Sequence, residues 1–158
     1  QCTVDVMGRE DGHAILSSAC FQLGIAGAQI TRSFSLLIQH TGLTHKQVGL
    51  LAVVDTGMAS SQREIATHLG VAPSLVVSLV DQLVNIGAVR RTRSTRDRRV
   101  QAVEITDEGR GLLRLAADVV ETLDIDLRKH LSPGDQQDLD RLLPLLLQSS
   151  ATAGRDRA

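Results

Sequence analysis

The 158-residue chain has no tryptophan and no tyrosine, and Phe21 and Phe34 are its only aromatic residues. Its core must therefore be aliphatic, and a small-molecule pocket has few ring faces available for stacking. Two cysteines, Cys2 and Cys20, cannot make a disulfide framework, and their spacing matches no metal motif. The histidines, His13, His40, His45, His68 and His130, are scattered, with no pair at ligand spacing on one helix face. No metal site is expected. The longest apolar region, residues 15–38, is interrupted by Ser17, Ser18, Gln22, Gln29, Thr31 and Arg32, which makes it too polar for a lone membrane-spanning helix. No basic start leads into a short apolar core and a small-residue cleavage site, so a bacterial cytoplasm is the expected compartment. Nucleophile–base arrangements, phosphate loops and paired carboxylates are also missing, and neither an enzyme nor a cofactor is expected.

What is present is helical periodicity. Residues 1–12 carry no pattern and read as a loose tail. Over residues 13–39, Ile15, Leu16, Ala19, Leu23, Ala26, Ile30, Phe34, Leu37 and Ile38 recur at three- and four-residue steps, the signature of one long amphipathic helix. Thr44 with Gln47, and Ser61 with Glu64, are capping boxes that open two short helices. The first has Val48, Leu51 and Ala52 inward and the second Ile65, Ala66 and Leu69. Gly70 ends the second helix, and Pro73 stands where a first helical residue tolerates proline. The following helix buries Val76, Leu79, Val80 and Leu83 and ends at Gly87, which completes a helix-turn-helix.

Two strands follow, residues 88–92 and 100–106, joined by the polar turn RSTRDRR. A hairpin attached to a helix-turn-helix makes a winged helix. Another long helix begins near Thr106, with Leu112, Leu115, Ala116, Val119, Leu123 and Leu127 on one stripe. A last one follows Ser132-Pro133 and should kink at Pro144. The expected fold is mainly α (α+β), divided into a tail (1–12), an N-terminal helix (13–43), a winged helix-turn-helix (44–106), C-terminal helices (107–150) and a second tail (151–158).

The charge is segregated. The chain is formally −1, yet Arg90, Arg91, Arg93, Arg96, Arg98 and Arg99, six of its 17 basic residues, fall within ten positions opposed only by Asp97. A charge run is ordinarily a solvated face. At the tip of a hairpin after a helix-turn-helix, it points to double-stranded DNA. Arginines there enter a narrow minor groove or pair with phosphates and release counterions. Asp97, repelled by DNA unless it organises the loop, is expected to brace Arg99 or a backbone amide. On the recognition helix the groove-facing set is Pro73, Ser74, Val77, Ser78 and Gln82, able to reach base edges but with no cation. Ser61, Gln62 and Arg63 at the preceding helix start, with Arg91 and Arg93 at the wing, complete the expected DNA contacts.

The run from Ser61 to Gly109 resembles the winged helix of the MarR family of bacterial transcription regulators. The wing carries most of the likeness, D-x-R followed by a strand and I-T-x-x-G: Asp97, Arg99, Ile105, Thr106 and Gly109. The resemblance implies a homodimer formed by long helices from both chain ends, acting on an inverted-repeat operator, most often as a repressor. It also implies release by a small phenolic or carboxylate effector held between the dimer helices and the winged helix. Arg32, Ser35, Gln39 and His40 could face such a cleft, or serve as ordinary surface contacts. Where relatives often carry basic or hydroxyl residues this chain has Leu75, Val77, Ser78 and Gln82, which shifts affinity toward the wing. Residues 19–34 loosely resemble the first helix of the hydroperoxide-sensing branch, with Cys20 at the reactive position. Those sensors surround the thiol with tyrosine hydroxyls. With none here, Cys20 reads better as a small buried core residue than as a redox centre. A winged helix serving only protein–protein contact is the remaining alternative, and it would have no need of six arginines at its hairpin.

Overall fold

A computed structural model describes residues 4–93 and 101–153. In chain order these form α1 (Val4–Ser17), α2 (Ala19–Ile38), a 3-10 turn (Gln39–Thr41), α3 (His45–Asp55), α4 (Gln62–Leu69), α5 (Pro73–Asn85), β1 (Val89–Arg93), β2 (Gln101–Ile105), α6 (Asp107–Arg128) and α7 (Pro133–Ala153). The fold is a mainly α winged helix-turn-helix flanked by long helices.

Local chemistry sets most boundaries of the winged helix. Thr44 Oγ1 accepts from the Gln47 N–H while the Gln47 side chain accepts from the Thr44 N–H, and Ser61 and Glu64 repeat the exchange at α4. Each such cap is worth about 1 kcal/mol. Gly70 takes φ +62° at the end of α4, a left-handed conformation that a side chain would strain, and the chain bends by 110° into α5. Val76, Leu79, Val80 and Leu83 of α5 are all buried, against Leu50 and Leu51 of α3 and Ile65 of α4. Val89 pairs with Ile105, and Arg91 with Val103, in the antiparallel hairpin. The Val103 N–H donates to Ser60 O at 2.8 Å, which ties β2 to the segment before α4.

The flanking helices depart from expectation. Residues from Val4 onward are helical where a loose tail was expected, and α7 runs to Ala153, into the expected C-terminal tail, with Pro144 inside it. The single helix expected over residues 13–39 is broken at Ser18, whose extended backbone bends the path by 59°. The cause is local: Ser17 Oγ donates to Ala14 O at 3.2 Å and Ser18 Oγ to Ile15 O at 2.7 Å. Two adjacent hydroxyls thereby compete for carbonyls that a continuing helix would use. Cys20, expected in the core, is exposed just beyond this break.

Only Phe34 and Ile38 of the α2 stripe are buried. Leu23, Ile30 and Leu37, like Leu115 and Leu127 of α6 and Leu142 to Leu147 of α7, leave large apolar surfaces open in the single chain. No single helix among the described residues is long and apolar enough to cross a membrane.

Candidate nucleic-acid interface

The outer face of α5 presents Pro73, Ser74, Val77, Ser78, Asp81 and Gln82, all exposed, as the helical phase of its buried residues requires. The face carries no cation. Its one charge, Asp81, would repel phosphate, but the Arg91 guanidinium donates to its carboxylate and neutralises it. Arg91, expected to contact DNA directly, is therefore engaged in fastening the root of the wing to the recognition helix. Gln82 is engaged as well, since its Oε1 accepts from Gln47 Nε2 at 2.9 Å.

Across the hairpin, Arg90 donates through Nε and Nη2 to Glu104 Oε2 at 3.0 and 2.8 Å, and Thr92 Oγ1 donates to Glu104 Oε1 at 3.0 Å. The Arg90 bonds, then that of Thr92, hold the Glu104 carboxyl below its ordinary value. A lowered folded-state value favours the fold above the ordinary carboxylate range and stops doing so as pH falls through it. The pairing is therefore intact at neutral pH. Arg93, at the end of β1, is exposed and without an ion-pair partner among the described residues. Arg96, Asp97, Arg98 and Arg99 lie outside the described residues, so the expected bracing role of Asp97 does too.

Ahead of α4, Ser61 spends its hydroxyl on the Glu64 N–H and forms a backbone bridge to Ala102. The oxygen only accepts there, so the hydroxyl hydrogen remains for the expected contact with DNA. Gln62 is half-buried and Arg63 exposed in the first turn of α4.

A second feature lies behind the interface. α2, α3 and α6 enclose an open, mainly apolar cleft of roughly 780 Å³, lined by Ile30, Phe34, Leu37, Val48, Val120 and Leu123 among others. His45 stands edge-on to Phe34, with ring centroids 5.3 Å apart. None of Arg32, Ser35, Gln39 or His40, the expected effector contacts, lines this cleft. Ser35 Oγ donates to Thr31 O and His40 Nδ1 bonds Leu37 O, both within their own helical turns. The charged groups that do line it are Asp124 and Asp126, paired with Arg128 and Lys129.

Cys20 Sγ has one polar neighbour among the described residues, Ser18 Oγ at 3.7 Å, and the chain offers no tyrosine to activate it. Peroxide should therefore affect the wild type and Cys20→Ser alike in a DNA-binding titration. A wild-type loss of binding that the variant escapes would reverse this.

The family model described as MarR family matches residues 43–100. The HTH-type transcriptional regulator TtmR of Methylorubrum extorquens (strain PA1) is 32% identical over 105 residues, 66% of this chain and 54% of that protein, so the chain spans about half the length of this relative. The crystal structure of CouR from Rhodococcus jostii RHA1 bound to p-coumaroyl-CoA is similar with a TM-score of 0.75 at 25% identity, covering 84% of this chain and 94% of the other. The transcriptional repressor CouR bound to a 23-mer DNA duplex is 30% identical, with a TM-score of 0.69 over 84% of this chain and 92% of that one. Sequence, fold and coverage agree, and the chain belongs to the MarR family of transcriptional regulators.

Proposed function

We propose that this protein is a DNA-binding transcriptional repressor that acts as a homodimer and is released by a small effector. The observation that carries the reading is an exposed α5 face beside β1, which bears Arg90, Arg91 and Arg93, the first three of six arginines that the sequence gathers within ten residues. Each α5 would enter a major groove, with the wing reaching the adjacent minor groove, and two-fold symmetry then calls for half-sites about one helical turn apart. The relative solved on a DNA duplex supports this. The open apolar faces of α2, α6 and α7 support the dimer, because surface of that extent is stable when covered.

The effector reading rests on the cleft between α2, α3 and α6. Its lining residues include no lysine or arginine, and its acids already have partners. An apolar, uncharged ligand suits it better than the carboxylate that family resemblance implies. Titration of the promoter duplex of its own gene at about 50 and 200 mM salt tests the core of the proposal. With about six phosphate contacts, affinity should fall by roughly 10³ between them. Absent or salt-insensitive binding would overturn it.

A further inference from the structure

The capping box at α3 reaches across to the recognition helix. The Thr44 backbone N–H, which can only donate, gives its hydrogen to Gln47 Oε1 at 2.7 Å, and Thr44 Oγ1 donates to the same oxygen at 3.0 Å. This fixes the sense of the Gln47 amide: its oxygen is held by Thr44, so its Nε2 faces away. That nitrogen donates to Gln82 Oε1 at 2.9 Å, 35 residues along the chain. Among the described residues, Gln47 is the buried polar residue of the core, 7% exposed.

The second amide is thereby oriented by the first. Gln82 turns its oxygen toward Gln47 and keeps its Nε2 on the outer face, where it donates to Ser78 Oγ at 3.4 Å. A hydroxyl that accepts from Gln82 has its own hydrogen left to give. Ser78 and Gln82 are both exposed, one helical turn apart.

We propose that Gln47 is a positioning residue for base readout, holding Gln82 so that α5 offers hydrogen-bond donors rather than acceptors at this turn. The inference rests on the reading of α5 as the helix that enters the major groove. Donors there match guanine, whose N7 and O6 both accept, or thymine O4; adenine offers N7 alone, beside an amine that like that of cytosine requires an acceptor. The bidentate glutamine–adenine contact needs both amide atoms aimed at one base, and the Gln82 oxygen is held elsewhere.

The test is selection of duplexes from a randomised DNA library by the full chain, as wild type, Gln82→Ala, Gln47→Glu and Gln47→Met, each first checked for cooperative thermal unfolding. Glutamate at 47 still accepts from Thr44, but its second oxygen can only accept, so the Gln82 amide must turn over and show its oxygen outward. Gln82→Ala is expected to flatten one position per half-site. At that position the wild type should select guanine or thymine, and Gln47→Glu should move the preference by roughly tenfold toward cytosine or adenine on the same strand. Gln47→Met, close in size and free of polar atoms, should broaden it, and keeps the test available if the glutamate variant does not fold. The proposal is overturned if the folded Gln47 variants select the wild-type base there, or if Gln82→Ala flattens no position. A wild type that enriches no motif at all refutes the DNA-binding reading itself, and the inference falls with it.

Discussion

Gly109→Ala should cost about 3 kcal/mol of stability, at the upper end of what overpacking ordinarily costs. A Cβ at this position would overlap the backbone carbonyl oxygen of Ala88 and stand 2.8 Å from Ile105 Cγ1. Neither neighbour can retreat cheaply. Ala88 O already accepts from the Thr106 N–H at 3.1 Å, and Thr106 Oγ1 donates to Gly87 O while accepting from the Gly109 N–H. The first turn of α6 is thus clamped onto the junction of α5 and β1, and one methyl group forces the clamp open. Thermal unfolding of Gly109→Ala beside Gly111→Ala gives the comparison, because a Cβ at Gly111 meets nothing nearer than 3.9 Å. Equal melting temperatures for the two variants would refute the clamp.

The second large effect concerns the wing. If the hairpin supplies most of the affinity, Arg96→Ala and Arg98→Ala should weaken binding to nearly all duplexes alike. Each should also lower the slope of log affinity against log salt by about one for every phosphate that the missing guanidinium would have neutralised. Arg91→Ala should behave differently, since Arg91 is held by Asp81. Its removal would uncover the Asp81 carboxylate on the recognition face and leave the hairpin root unfastened. Binding should weaken there with little change in the slope that phosphate pairing contributes. Slopes measured from about 50 to 300 mM salt separate the cases. An unchanged slope for Arg96→Ala and Arg98→Ala would mean that the wing does not touch the backbone.

What could be read in advance follows the range of the interactions. The capping boxes at Thr44 and Ser61, the left-handed Gly70 and the buried quartet of α5 depend on residues within a turn or two of one another, and all are legible in the chain. The stripe of Ile30, Phe34, Leu37 and Ile38 is legible too, but not which polar residues of α2 reach its cleft. Arg32, Ser35, Gln39 and His40 are accordingly expected at a cleft that Ile30, Phe34 and Leu37 line instead. The break at Ser18 carries a visible signal, two adjacent serines, outweighed by the apolar pattern on both sides. The pairings of Gln47 with Gln82 and of Arg91 with Asp81 belong to the tertiary fold. A polar residue on a helix face looks available until its neighbour is known.

The corners around α5 have an evolutionary consequence. Gly70 and Gly87, both at positive φ, end α4 just before the recognition helix and close the turn just after it, with backbone bonds to Thr67 O and Val84 O. The side chains of Ser74 and Val77 on the outer face hold no hydrogen bond among the described residues, so the helix keeps its place without them. Those two positions can drift through many side chains while the scaffold stays folded. A duplicated copy of this gene acquires a new target site by rewriting two letters, whereas a change at position 82 also takes from the buried Gln47 its partner.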